Sequence, residues 1–159
     1  MSVSTLPAFL DALVAALEAR PGLAGVTIYS GPVAPEDIGE AGIEFAEDVS
    51  IDQTRAAMGS TDMDESYSVT GSVLAAAPIV PKATKTATIN AAAKVARDRA
   101  FAILHEITAE LATNDDMTDT VRDVAIATLD VHQAMAPEAQ QGRACWVEFS
   151  LSVVARTSP

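Results

Sequence analysis

The side chains in this sequence that could do chemistry are few and scattered. His105-Glu106 begins as a zinc-protease helix does, but four residues after His105 stands Ala109, so the second imidazole ligand is missing. His132 falls in a different predicted element, and the two histidines read as separate structural or surface groups rather than a metal pair. The eight glycines never form a phosphate-cradling loop followed by lysine, and no G-x-S-x-G nucleophile elbow occurs. Cys145, the single cysteine, sits on the apolar side of a predicted strand with no base beside it, which suits a buried structural thiol better than a nucleophile. Asp62, Asp64 and Glu65 resemble a sparse calcium loop without its glycine or terminal bidentate glutamate, and read instead as a solvated acidic loop. No catalytic, metal or cofactor site is expected, and the chain is not expected to be an enzyme.

The elements that would position any site follow from periodicity. Residues 5–20 predict an amphipathic helix, with Thr5 as cap, Pro7 in the first turn, and Leu6, Phe9, Leu10, Leu13 and Leu17 on one stripe. Gly25 to Ser30 predicts a short strand, 31–42 a loop, and Ile43, Phe45, Val49 and Ile51 mark a second strand. Residues 52–64 show no clean period and predict a long loop. Glu65 to Ala77 alternates, with Tyr67, Val69, Gly71 and Val73 on one face and Ser66, Ser68, Thr70 and Ser72 on the other. After a Pro/Thr/Lys linker at 78–88 comes the longest predicted helix, 88–113, striped by Ile89, Ala92, Ala96, Ala100, Ile103, Leu104, Ile107 and Leu111 and ended by Asn114. Residues 121–132 predict a strand with Ala125, Ala127, Leu129 and Val131 on one side. A loop at 133–142 leads to the closing strand, 143–156, where Cys145, Val147, Phe149, Leu151, Val153 and Ala155 alternate with Trp146, Glu148, Ser150 and Ser152.

The expectation is one α+β domain over 1–159, in the order α-β-β-β-α-β-β, with an antiparallel or mixed sheet of about five strands backed by two helices. The two longest strands would run roughly 40–47 Å. That overshoots a domain whose radius of gyration should be about 15 Å, so the strands would either twist strongly or project beyond the core as a hairpin, and a projecting edge invites a neighbour.

Composition narrows the function. Hydrophobic residues are 49% of the 159, much of it alanine, and aromatics only 4%, which leaves room for stability drawn from subunit association. The net charge of −12 argues against gripping nucleic acid, though not against a surface past which DNA slides. No signal peptide or membrane span is read, so a soluble protein made in a reducing cytoplasm is expected. Charge is also segregated. Residues 36–65 hold ten acids and one base, Arg55, whereas Lys82, Lys85, Lys94, Arg97 and Arg99 cluster where Asp98 is the only acid. Such a layout suits head-to-tail contacts, or simply a solvated helix face.

The segments LPAFLDALVAALEARPGLAGVTIYSGP, DQTRAAMGSTDMDESYSVTGSV, ARDRAFAILHEITAEL and GRACWVEFSLSVVART together resemble the tail-terminator (minor tail, tail-completion) proteins of long-tailed siphophages. The likeness is one of order and texture over nearly the whole chain. It implies a virion structural protein at the head–tail junction, a homo-hexameric ring that caps the tail tube, stops its polymerisation and meets the head connector. Its partners would be itself, the tail tube protein and the head–tail connector protein, with DNA passing through the channel unread. The linker 78–88 and the loop 133–142 are longer than the family pattern leads one to expect.

Two other readings stay open: a neck or head–tail connector subunit, and a small cytosolic enzyme or ligand-binding domain built from scattered residues. For the ring, the expected contact segments are 52–64 and 78–88. Met58 and Met63 would be adaptable apolar contacts or half-buried anchors, with Asp62, Asp64, Lys82 and Lys85 as charged contacts. Trp146 would be either an interface anchor or the partner of a helix on the second sheet face.

Overall fold

Two strands of 15 residues, one from the middle of the chain and one from its end, pair antiparallel along their whole length and set the frame for everything else. The computed structural model describes residues 4–34, 39–45, 49–78, 86–117, 119–135 and 142–157. They form α1 (Leu6–Glu18), β1 (Thr27–Tyr29), β2 (Ala41–Phe45), β3 (Ile51–Arg55), β4 (Met63–Ala77), α2 (Thr86–Thr113), β5 (Asp123–Met135) and β6 (Arg143–Thr157). The fold is α+β, with a mixed six-stranded sheet ordered β1-β2-β4-β6-β5 and β3 also on β4. Both helices bury their stripes against the same face of that sheet, in one core.

The expected order missed one strand. Residues 52–64 are not a loop: β3 occupies 51–55, and only 56–62 turns. The reason lies in β4, whose other edge is taken up by β6 from Met63 to Ala77. Its remaining edge therefore takes β2 against residues 71–75 and then β3 against 63–67. Five residues of chain, 46–50, separate two registers that on β4 are only three residues apart. The expected second strand is thus a broken one that runs on along β4. No local period could announce the exposed half of it, since all of β3 but Ile51 is solvent-exposed.

A second correction concerns β5. Alternation put Ala125, Ala127, Leu129 and Val131 on one side, but a bulge between Ile126 and Thr128 inserts one extra residue. Val124 and Ile126 lie opposite Val153 and Leu151, and past the bulge Leu129 and Val131 lie opposite Phe149 and Val147. The bulge thus changes the phase of the strand, and all four apolar side chains share the helix side of the sheet.

The core is held together at β4 by a missing side chain. Gly71 has Phe45 as its β2 partner and Phe149 as its β6 partner. The two rings meet edge to face over it, centroids 6.2 Å apart and planes 89° apart. A Cβ on Gly71 would collide with the Phe149 ring. The turn after α2 is strained in a different way: Met117 adopts φ 45°, rare for a side-chain-bearing residue, with its side chain wholly buried. Gly71→Ala should therefore cost about 1–3 kcal/mol through forced displacement of Phe149. Urea titration checks this, and an unchanged midpoint would mean the aromatic pair yields freely.

Candidate assembly interface

The β3–β4 hairpin lies within the sheet at the Met63 end of β4, beyond the reach of β2 and still flanked by β6, and its turn, 56–62, extends past the paired residues. Its turn is closed by the Ala56 amide donating to the Asp62 carbonyl (3.0 Å) and the Ser60 amide to the Ala57 carbonyl (3.1 Å). Gly59 supplies the left-handed residue, φ 85°. The Asp62 amide donates to Ser60 Oγ at 3.0 Å, which stiffens the return. Met58, at the tip, is 102% exposed. It is therefore not the half-buried anchor that a folded-back loop would make of it, whereas Met63, the first residue of β4, is half-buried.

The three acids read together as a solvated loop are separated by the strand. Asp64 faces away from the helices, and its Oδ1 receives Arg156 at 2.7 Å and Arg122 at 3.5 Å. Asp62 stays in the turn. Glu65 points inward and is only 1% exposed. Its Oε2 accepts the Thr5 amide at 2.9 Å and the Thr5 hydroxyl at 2.8 Å, and its Oε1 takes Gln53 Nε2 at 3.4 Å. With that hydroxyl proton committed, Tyr67 donates its own to Thr5 Oγ1, 3.1 Å away. Thr5 thus does not cap α1 with its side chain as the sequence led us to expect; it hands both its donors to a carboxylate on β4. Burial pushes the Glu65 carboxyl up, but the hydrogen bonds from Ser4, Thr5 and Gln53 outweigh it and hold the carboxyl below its ordinary value. Burial, together with the neighbouring Glu65 charge, pushes the Tyr67 phenol up to about 12. Nothing in the local pattern around Glu65 marked it as the buried member of the trio except its place in the alternation with Tyr67 and Val69.

The helix-free face of the sheet is of another character. Trp146 does not meet a second helix there, because α1 and α2 both pack on the opposite face. It stacks on His132, centroids 5.4 Å apart at 21°, and packs with Tyr29, Val33, Leu74 and Ala144 in a small satellite cluster. Hydroxyls follow along β4 and β6, with Thr128 and Ser150 hydrogen-bonded at 2.7 Å. Asp130 and Glu148 stand directly opposite each other, a like-charged pair.

Among the described residues no three His, Cys, Asp or Glu side chains come close enough to hold a metal ion. His105 is exposed on α2, far in sequence from the His132 stack. Cys145 is fully buried, and burial pushes its thiol up, with Arg97 pulling it down to a lesser degree. A shallow groove of about 650 Å³ runs between Ala12, Ala15 and Ala16 of α1, with Ala19 just past its end, and Glu110 of α2, with Asn114 just past its end. Its charged groups are already joined, Arg20 to Glu106 and Glu110 at 2.8 Å each, and these bonds fasten α1 to α2. No described helix is long and apolar enough to cross a membrane. Lys82 and Lys85 of the expected contact set lie outside the described residues, as do most of the linker 78–88 and of the loop 133–142. Of that set the structure brings Asp62, Met63 and Asp64 to the hairpin with Met58, and puts Trp146 on the helix-free face.

Compared with known proteins, the chain matches no family model and no curated protein.

The lowered Glu65 carboxyl has a definite sign for stability. Folding favours the ionised form, so the contribution is complete above the ordinary carboxylate range and is lost as pH falls through the lower, folded-state value. Glu65→Gln should cost about 1–3 kcal/mol at neutral pH and should flatten the acid limb of the stability–pH curve. Denaturant midpoints from pH 7 down to pH 3 measure both, and an acid limb identical in the two proteins would rule the contribution out.

Proposed function

We propose that this chain is a tail-terminator subunit of a long-tailed phage, a virion structural protein that works as a closed homo-hexameric ring at the head–tail junction. The observation that carries the reading is the stiffened hairpin that presents Met58, fully exposed, at its tip. A subunit that must bind copies of itself and the end of a tube needs such a preformed projecting contact. The sequence resemblance supplies the family, and the scattered placement of the titratable side chains agrees with a role played through shape.

In this mechanism one side of the ring copies the bonding surface of a tube ring and binds the growing end of the tail tube protein. The opposite side offers no seat for a further tube subunit and meets the head–tail connector protein instead. DNA crosses the central channel without being read, and the acidic balance of the chain keeps it from sticking there.

Purified protein added to polymerising tail tube protein should shorten the tubes, with a ring at one end in electron micrographs. Tubes of unaltered length would sink the terminator reading. In the phage, loss of the protein should give overlong tails; tails of normal length that fail to join heads would instead identify a neck connector. Trp146→Ala removes the largest side chain of the helix-free face. It should lower the monomer melting temperature by roughly 2–8 °C, equivalent to about 1–2 kcal/mol, while reducing assembly on tube ends by a clearly larger factor. Equal losses in the two assays would return Trp146 to a purely structural role.

A further inference from the structure

A ring requires that the hairpin of each copy find a seat on the next, and the chain carries a surface fit to be that seat. Among the described residues β5 is an edge strand, paired with β6 alone. Its bulge turns Leu129 and Val131 toward the helix side, but α2 covers the inner strands and leaves these two 49% and 46% exposed. Phe101 of α2 is 42% exposed. It precedes Glu110 by nine residues, a half-turn difference around the helix at about 3.6 residues per turn. Glu110 faces α1 through Arg20, so Phe101 faces away from α1, toward the β5 side. Single exposed apolar side chains are ordinary; three from two elements at one corner of a domain make a patch.

The charges beside that patch say what would sit on it. Lys94 and Arg97 stand seven and four residues before Phe101, so both share its flank, and both are exposed. Asp98, beside them, is bound to Lys94, and Asp130, between Leu129 and Val131, faces the other side of the sheet opposite Glu148. The hairpin has the opposite character: an exposed thioether at its tip, and Asp52 and Asp62 against the single base Arg55, Asp64 being held by Arg156 and Arg122.

We propose that the β3–β4 hairpin tip of one copy, led by Met58, seats on the patch formed by Phe101, Leu129 and Val131 of a second copy, with its carboxylates beside Arg97 and Lys94. The proposal rests on the ring reading above and names the contact that closes the ring. Knob and seat lie on different parts of the subunit, since β3 and β5 are separated by β4 and β6, roughly 14 Å of sheet. Made head to tail, such a contact propagates around an axis, whereas reciprocal exchange of knob and seat between two copies would stop at a two-fold dimer. Methionine suits the knob, because its unbranched thioether adapts to an aromatic and β-branched surface.

The test uses two single-cysteine additions on exposed positions, Met58→Cys and Leu129→Cys, with the buried Cys145 left in place. Each protein is oxidised alone, then the two are mixed and oxidised, with and without tail tube protein, and the double variant is run beside them. The expected result is a disulfide only in the mixture, and a ladder of covalent oligomers ending in a closed ring for the double variant. Tip-to-tip cross-linking of Met58→Cys alone, or no cross-link while sizing still finds rings, overturns this contact and leaves the ring reading standing. A protein that stays monomeric and leaves tubes uncapped overturns both. As a second measure, Phe101→Lys and Leu129→Lys should each weaken assembly at least tenfold with an unchanged circular dichroism spectrum and melting temperature. Assembly as strong as that of the parent protein would overturn the seat.

Discussion

Everything in this fold is hung on the antiparallel pairing of β4 with β6, fifteen residues against fifteen without a break. Strands this long extend roughly 50 Å, more than the roughly 42 Å of α2, so the chain must either twist the excess away or support it. It supports it. β2 and β3 occupy the free edge of β4 in succession, and α1 docks over the end that α2 does not reach, with the Phe9 ring set edge-on to Tyr67 at 6.0 Å. The pairing also divides the sheet into two chemistries. Val69, Val73, Val147, Phe149 and Leu151 go to the helices, while serines and threonines go to the other face.

Glu65 is where the supported end becomes rigid. Burying a carboxylate costs several kcal/mol unless its lone pairs are filled, and here the start of α1, the β3 strand and, through Thr5, the Tyr67 hydroxyl combine to fill them. The result couples three elements that apolar contact alone would hold loosely, at the base of the hairpin that carries Met58. A contact surface that is already ordered loses less conformational entropy on association. The same economy holds at the other side of the sheet, where the β5 bulge keeps Leu129 and Val131 in line with the core although the core ends before it reaches them.

How much of the candidate site could be read beforehand depends on the residue. Met58, Asp62, Met63 and Asp64 stood out because an irregular segment between two alternating runs has to be a turn or a contact. Phe101 carried a signal that went unused: a large aromatic well off the Ala92–Leu111 stripe has no place in the core and must meet solvent or a partner. Leu129 and Val131 were legible as apolar but assigned to the wrong pair of neighbours, Ala125 and Ala127. A period of two says nothing about where one residue will be added to it. Glu65 was grouped with its acidic neighbours by composition, when alternation with Tyr67 already placed it on the inner face.

The sequence by itself determined the two helices, their buried stripes, the two long alternating strands and the α+β class, because these depend on periodicities that each segment carries within itself. It likewise determined Cys145 as a buried residue, through the same alternation. Only the tertiary structure decided that β3 exists, that β5 is bulged, that Trp146 faces no helix, and that Glu65 is bonded to Thr5 sixty residues away. These are matters of which strand edge is vacant and which donor is within reach. A strand exposed on nearly every residue has no period of its own, and it forms because β4 presents unpaired amides and carbonyls that a neighbouring backbone can satisfy.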